Sequence, residues 1–304
     1  MVPQLPASLQ VLERGWLSAN NILLTEGDQA TLIDSGYVTH APQTLALVGH
    51  ALAGRQLTRL INTHSHSDHI GGNAALQAAH GCEVLVPAGL AADIADWDEE
   101  ALLLSPLGQQ GARFQHDGII QAGSTLDMGG LAWQALAVPG HDMEALAYFN
   151  PDHGLLISGD ALWKNGFGVV FPELLGQADG LAATRATLEM LARLPLKAVI
   201  PGHGAPFADV DAALERAFRR VDSFTANLDR LAWHAIKVIV SFALMERRHL
   251  PRQAFLAFVD GLAFARDVNS RYLGLDMAIL AERVLHELAL VGALKEQDGQ
   301  VVAA

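Results

Sequence analysis

Within six residues, His64-Ser65-His66-Ser67-Asp68-His69 places three imidazoles and a carboxylate directly behind the apolar run Leu60-Ile61 and Asn62. In an extended or turning segment side chains alternate with a period of two, so His64 and His66 project to one side and can share a metal ion. Asp68 and His69 fall where the chain turns into a predicted helix, and Gly71-Gly72 lets the backbone pass close to whatever is bound. Further along, His141, Asp160 and His203 bring the candidate ligands to seven, more than one tetrahedral ion uses. The economical partition gives one ion His64, His66 and His141, gives a second Asp68, His69 and His203, and lets Asp160 bridge them. Two divalent ions roughly 3.5–4 Å apart hold a shared hydroxide, its pKa lowered towards about 7, and polarise the oxygen it attacks. The chemistry is hydrolysis of a carbonyl or phosphoryl centre.

The elements that must position these groups are short strands. Leu60-Ile61-Asn62 runs into the His-rich stretch, Ala137-Val138 into Pro139-Gly140-His141, Ile157-Ser158 into Gly159-Asp160, and Val199-Ile200 into Pro201-Gly202-His203. Strand ends give rigid placement, and the adjoining Gly and Pro residues shape turns that aim side chains at one point. Earlier strands are predicted at 11–12, 21–24 and 30–33, and helices over 41–53 and 73–79. Residues 88–124 read as an irregular excursion with one or two short helices, and 161–177 as a loop before a helix over 179–194. From residue 209 the composition shifts to helix formers, with helices expected over 211–224, 227–246, 251–259 and 276–290. Asp298-Gly299 between two short runs then signals a two-residue hairpin, and helices finishing in a hairpin look like a winged-helix module. The expected organisation is a catalytic domain over 1–208 and a helical domain over 209–304. The Arg216, Arg219, Arg220 cluster reads as a solvated helix face, and the eight histidines outside the ligand set as surface or locally bonded residues.

Composition narrows the partners. The net charge is −13, and residues 211–304 carry 12 basic and 12 acidic side chains, so the whole deficit lies in residues 1–210. A field of that sign repels phosphate backbones, and nucleic acid is not an expected partner. The single cysteine, Cys82, sits in a strand-like run and reads as buried and inert. Met1-Val2-Pro3-Gln4-Leu5-Pro6 has neither the basic nor the apolar region of a signal peptide. The longest apolar segment, 231–245, falls short of the roughly 20 residues of a spanning helix. No membrane association is expected, and the expected location is cytoplasmic.

At the seven ligand positions the sequence resembles the metallo-β-lactamase superfamily, whose signature His-x-His-x-Asp-His is followed downstream by His, Asp and His. The resemblance covers about residues 20–207. It implies an α/β fold, an αββα sandwich with the metals at one edge between the two sheets. It also implies that Asp34, in Leu32-Ile33-Asp34-Ser35-Gly36, supports the ligands from behind. Departures from subfamily patterns narrow it further. Asp160 and the lack of an export signal disfavour the β-lactam-hydrolysing branch with Cys at that position, and His66 speaks against flavodiiron oxidoreductases. Only 42 residues separate Asp160 from His203, too few for the nuclease branch with a large inserted domain. The overall layout is similar to glyoxalase II, yet the positions of its glutathione-binding Lys and Tyr align with Val169 and Phe171, which argues against glutathione thioesters.

The expected activity is therefore hydrolysis of a small-molecule ester, thioester, lactone or related acyl bond by a metal-bridging hydroxide. Asp68 serves both as ligand and as proton acceptor for the leaving group. Two zinc ions per chain are the expected cofactors, with iron or manganese as the alternatives. Trp163, Phe167 and Phe171, in the mostly apolar stretch after Asp160, read either as pocket lining suited to an acyl or aromatic group or as ordinary core. The rival readings are an RNA-cleaving nuclease of the same superfamily, an iron-dependent sulfur dioxygenase, and a non-catalytic metal-bound sensor. The apolar helices of the tail are expected to complete the pocket or to form a homodimer contact.

Overall fold

Residues 3–177 and 179–304 are described in the computed structural model. Met1, Val2 and Ala178 lie outside the described residues, and with them the first two positions of the N-terminal stretch read for a signal peptide. Two sheets form the centre. The first joins, in order, β1 (Leu9–Leu12), β2 (Asn21–Glu26), β3 (Gln29–Ile33), β4 (Gln56–Ile61), β5 (Glu83–Pro87) and β6 (Gly118–Ile120). The second is built from β7 (Thr125–Met128), β8 (Leu131–Ala137), β9 (Leu146–Asn150), β10 (Leu155–Gly159) and β11 (Ala198–Pro201), in the order β11-β10-β9-β8-β7.

Period-two alternation on strands that are apolar on both faces creates the layers. Ile22, Leu24, Ile33 and Ile61 of the first sheet meet Trp133, Tyr148, Ile157 and Ile200 of the second in a core between the sheets. Their neighbours Leu23, Leu32, Leu60 and Val84 point the other way, where Val48 and Leu52 of the helix Ala41–Leu52 and Leu76 of the helix Asn73–His80 cover them. On the far side, Ala147, Phe149, Leu156 and Val199 are covered by Leu181, Leu188 and Leu191 of the helix Gly180–Leu191. The result is the αββα sandwich.

Strand direction decides where the chemistry goes. β3 and β4 run parallel, so Asp34 and the His-rich stretch leave the first sheet at the same edge. β8 and β10 are each antiparallel to β9, and β11 is parallel to β10, so the ends leading to His141, Asp160 and His203 also share one edge. A hydrogen bond from the Leu146 N–H to the Thr63 carbonyl, 2.8 Å, ties the two sheets together there.

Several elements differ from the expectation. The excursion 88–124 holds the expected short helices, Ala91–Asp96 and Leu104–Leu107, and differs in also supplying the strand β6. β7, not foreseen, pairs with β8 through Gly129 and Gly130, both at positive φ (65° and 68°), the torsions a tight two-residue hairpin needs. The loop 161–177 includes a short helix, Phe171–Leu175, started by Pro172 in its first turn.

The tail holds the helices Val210–Ala226, Leu228–Arg247, Phe255–Gly261, Ala263–Val268 and Met277–Leu290. Asn227 and Asp276 cap the second and last of these by accepting backbone N–H groups. β13 (Leu294–Gln297) and β14 (Gln300–Ala303) form the hairpin around Asp298-Gly299, and the unforeseen β12 (His249–Pro251) adds to β14. One apolar cluster runs without interruption from the outer face of the second sheet through Phe171 and Leu188 to Ile239, Val284 and Val301. Among the described residues no helix is long and apolar enough to cross a membrane. Cys82 is buried, and burial pushes its thiol pKa up.

Two of the three clustered arginines are structural rather than a solvated face. Arg216 Nε donates to the Lys164 carbonyl, and Arg220 Nη1 to that of Asn165. Arg220 also donates to His234 Nε2, 2.9 Å away, and burial, then the Arg220 and Lys237 charges, depress the His234 pKa from 6.5 to about 3. The unfolded chain takes up this proton below pH 6.5 and the folded chain refuses it until about 3, so stability is lost as pH falls through that window. His234→Gln, which cannot be protonated, is expected to flatten the acid limb. Between pH 7.5 and 5 the variant should lose about 2 kcal/mol less than the wild type, read from urea unfolding at the two pH values.

Candidate metal centre

The site is assembled on Asp34. Its backbone is left-handed, φ 58°, which Asp tolerates better than most residues, and the carboxylate turns back beneath the His-rich stretch. There Oδ1 accepts the Thr63 N–H at 2.9 Å, and Oδ2 accepts the Thr63 hydroxyl at 2.8 Å and His69 Nδ1 at 2.7 Å. Having given its one proton to Asp34, the Thr63 hydroxyl can only accept from His64 Nδ1, 3.0 Å away. Both His64 and His69 are thus fixed with the proton on Nδ1 and the lone pair on Nε2. Neither Nε2 has a hydrogen-bond partner among the described residues, although both are buried.

His141 reaches the same tautomer differently, its Nδ1 donating to the Val169 carbonyl at 2.5 Å. Its Nε2 faces His66 Nδ1 at 2.7 Å and Asp160 Oδ2 at 3.4 Å. On the other side, His203 Nε2 lies 2.9 Å from Asp68 Oδ2, and His69 Nε2 lies 3.8 Å from the same oxygen. Asp160 stands between. One oxygen is 3.4 Å from His69 Nε2, the other 3.4 Å from His141 and 3.8 Å from His203.

All seven ligand candidates therefore come together. The ligand atoms of His64, His66 and His141 form one group that could hold a cation, those of Asp68, His69 and His203 another, and Asp160 joins His64 and His69 in a third. Protonation states suit the purpose. Burial pushes His64 well below its usual value, and burial with neighbouring imidazoles takes His66 and His141 to about 4, leaving neutral donors. Burial alone would raise Asp68 and Asp160, but His69 and His203 outweigh it and hold both carboxylates ionised. Burial also opposes charge on His69, yet Asp34, Asp160 and Asp68 together raise its pKa well above normal. A cation at His69 Nε2 would face Asp160 and Asp68 in place of a proton there, while Asp34 keeps the proton on Nδ1. Buried imidazole nitrogens beside ionised carboxylates form a donor set that fits a divalent metal ion.

Asp34→Asn keeps a residue that accepts left-handed torsions but loses the anion that His69 and Thr63 both address. Metal affinity is expected to fall about 10- to 100-fold, measured by competition with a chelator.

The aromatic residues divide. Phe171 sits edge-on to His66, centroids 5.5 Å apart, and is backed by Phe264 of the tail at 5.7 Å. Phe167 is nearly fully buried, packing on Phe224 beneath the Arg220 guanidinium, and borders a small cavity with His141 and Asp160. Trp163 donates its indole N–H to Asp160 Oδ1 at 3.1 Å. Missed from sequence were Thr63, whose hydroxyl joins Asp34 to His64, and Trp16, which stacks on His203 with centroids 5.3 Å apart. Trp16, a lone large aromatic beside Gly15 in a polar turn, carried a signal that could have been used.

The family model of the metallo-beta-lactamase superfamily matches residues 14–203. A hydroxyacylglutathione hydrolase of Rhodobacter capsulatus is 34% identical over 205 residues, covering 64% of this chain and 70% of the relative. One from Hyphomonas neptunium is 31% identical over 115 residues, and the match spans 38% of each protein. Among solved structures, a metallo-beta-lactamase family protein from Thermus thermophilus aligns over 99% of this chain and 100% of its own, at 18% identity and a TM-score of 0.60. That likeness is one of fold, and it extends through the tail. With the sandwich, the convergent ligand positions and a family match reaching from before β2 to His203, the chain belongs to the metallo-β-lactamase superfamily.

Proposed function

We propose that this chain is a dinuclear metal-dependent hydrolase of a small-molecule ester or thioester. The observation that carries the reading is the pair of ligand groups spanned by the Asp160 carboxylate, with two buried imidazole nitrogens lacking any other partner among the described residues. Two divalent ions there, zinc by preference for this mixed nitrogen and oxygen set, would supply Lewis acidity and a water molecule ionised near neutral pH.

The chain's own residues do the rest. Asp34 and Thr63 hold His64 and His69 in the tautomer that presents Nε2, and the Val169 carbonyl does so for His141. Asp68 is the least buried of the three site carboxylates, and its Oδ2 is oriented by His203, which suits it to take a proton from the nucleophile and return it to the leaving group. Phe171, packed on His66, and Trp163, bonded to Asp160, bring aromatic surface to the site, which favours an apolar acyl portion. The hydroxyacylglutathione hydrolase relatives favour a thioester. Val169 and Phe171 offer no cation or hydroxyl for a glutathione carboxylate, which favours a different thiol. Residues 1–208 would form the catalytic domain and 209–304 an appended helical domain that backs Phe171 through Phe264.

Elemental mass spectrometry on untagged, unsupplemented protein should find about two zinc or manganese ions per chain, followed by turnover on an ester and thioester panel that includes hydroxyacyl-glutathione. About one iron with oxygen consumption, or no turnover of any acyl substrate by the two-metal form, would overturn the reading.

A further inference from the structure

Trp16 is 58% exposed, far more than any other aromatic at the site, yet it is not loose. Its ring lies nearly parallel to that of His203, 10° apart at 5.3 Å, and edge-on to Trp163 at 5.5 Å. Trp163 in turn meets His203 edge-on at 5.3 Å, so two indoles and a ligand imidazole form a closed triangle.

Both indoles are pinned through their backbones. The turn carrying Trp16 is closed by the Ser18 N–H to the Gly15 carbonyl, 3.0 Å, and Arg14 anchors it to Asn21 and Thr44 at 2.7 and 2.9 Å. Just beyond, the Ala19 N–H bonds the Asp68 carbonyl at 3.0 Å and the Asn20 N–H that of Gly202 at 2.7 Å. The buried Asn20 amide adds bonds to the carbonyls of Pro201 and Gly204, 2.9 and 2.8 Å. One segment therefore laces together both turns that carry the second ligand group. Opposite it, the Trp163 turn is closed by the Trp163 N–H to the Gly166 carbonyl, 2.7 Å, and clamped by Arg216 and Arg220.

We propose that Trp16 and Trp163 form a rigid aromatic corner beside His203 that selects substrates bearing a planar aromatic group next to the scissile acyl bond. The proposal rests on the hydrolase reading and names its substrate class. An indole already packed against its neighbours costs less to order on binding than a free one. An aryl group gains offset or edge contacts there beyond its buried area, whereas an alkyl group gains area alone.

The test compares S-benzoyl and S-acetyl thioesters of one thiol in the wild type, Trp16→Ala and Trp16→Phe, with metal content measured on each. In Trp16→Ala the benzoyl-to-acetyl ratio of kcat/KM should fall about tenfold, mostly through KM, with Phe restoring most of it. Intrinsic reactivity cancels in the comparison. An unchanged ratio, or an equal loss for both substrates with metal loss, would overturn the proposal and leave Trp16 as a prop for His203. A second arm measures benzyl mercaptan against ethanethiol binding to the metal-loaded proteins by calorimetry. It needs no turnover. If the metal-loaded wild type cleaves neither these thioesters nor any other member of the ester and thioester panel, the hydrolase reading fails, and the corner stands or falls on whether Trp16→Ala lowers the benzyl preference.

Discussion

Asp160→Ala is expected to reduce hydrolysis at least a thousandfold, about 4 kcal/mol of transition-state stabilisation, and to lower the bound metal below two per chain. Among the described residues this carboxylate faces both candidate ligand groups, with 3.4 Å from one oxygen to His69 and 3.4 Å from the other to His141. No neighbour can replace it, because Asp68 is turned towards His203 on one side only. The fold should survive. Asp160 stands after β10, whose Leu155, Leu156 and Ile157 keep their places in two apolar clusters whatever follows them. Elemental analysis, turnover and circular dichroism on the same preparation check the three parts of this expectation. His66→Ala should match it in activity while sparing the group of Asp68, His69 and His203. Full activity in either variant would sink the dinuclear assignment.

Gly202→Ala is expected to cost at least a hundredfold in turnover without touching a ligand. A Cβ at this position would sit 2.3 Å from Asp160 Oδ1 and 3.0 Å from His69 Cε1. Contacts that short force something to move. The crowded oxygen also accepts the Trp163 indole N–H, so displacement breaks that bond or swings Asp160 away from His69. A misplacement of about 1 Å at a reacting centre can cost a hundredfold. The neighbouring Gly204, with nothing within 4 Å of its Cβ but a φ of 84°, provides the contrast. Gly204→Ala should strain the backbone and lower the melting temperature, with a much smaller effect on metal content. Equal behaviour of the two variants in metal titrations would show that crowding of Asp160 is not the cause.

The candidate ligand set was legible because its chemistry is dense. Three imidazoles and a carboxylate in six residues have few uses, and His141, Asp160 and His203 each follow an apolar run of strand character. The sandwich was legible for a related reason, since Leu23 and Leu32 alternate with Ile22 and Ile33 across two cores. The hairpin at Asp298-Gly299 announced itself by turn chemistry that depends on two residues alone. Less visible were β7 and β12, four and three residues long, whose existence depends on the partner they pair with.

Local pattern and residue chemistry suffice for the identity of the seven ligand candidates, for the strands that deliver them, and for the helical character of the tail. They do not say which lone pair each imidazole presents. Folding settles that, because Asp34, Thr63 and Val169 set the tautomers from positions up to 35 residues away. Folding also gives Trp16, Asn20, Arg216 and Arg220 their roles. Each is an ordinary loop or surface residue in the sequence, and each acquires its function only when a distant turn comes within hydrogen-bond or stacking distance. Periodicity records which side of an element faces the core, but it carries no record of which distant group waits there.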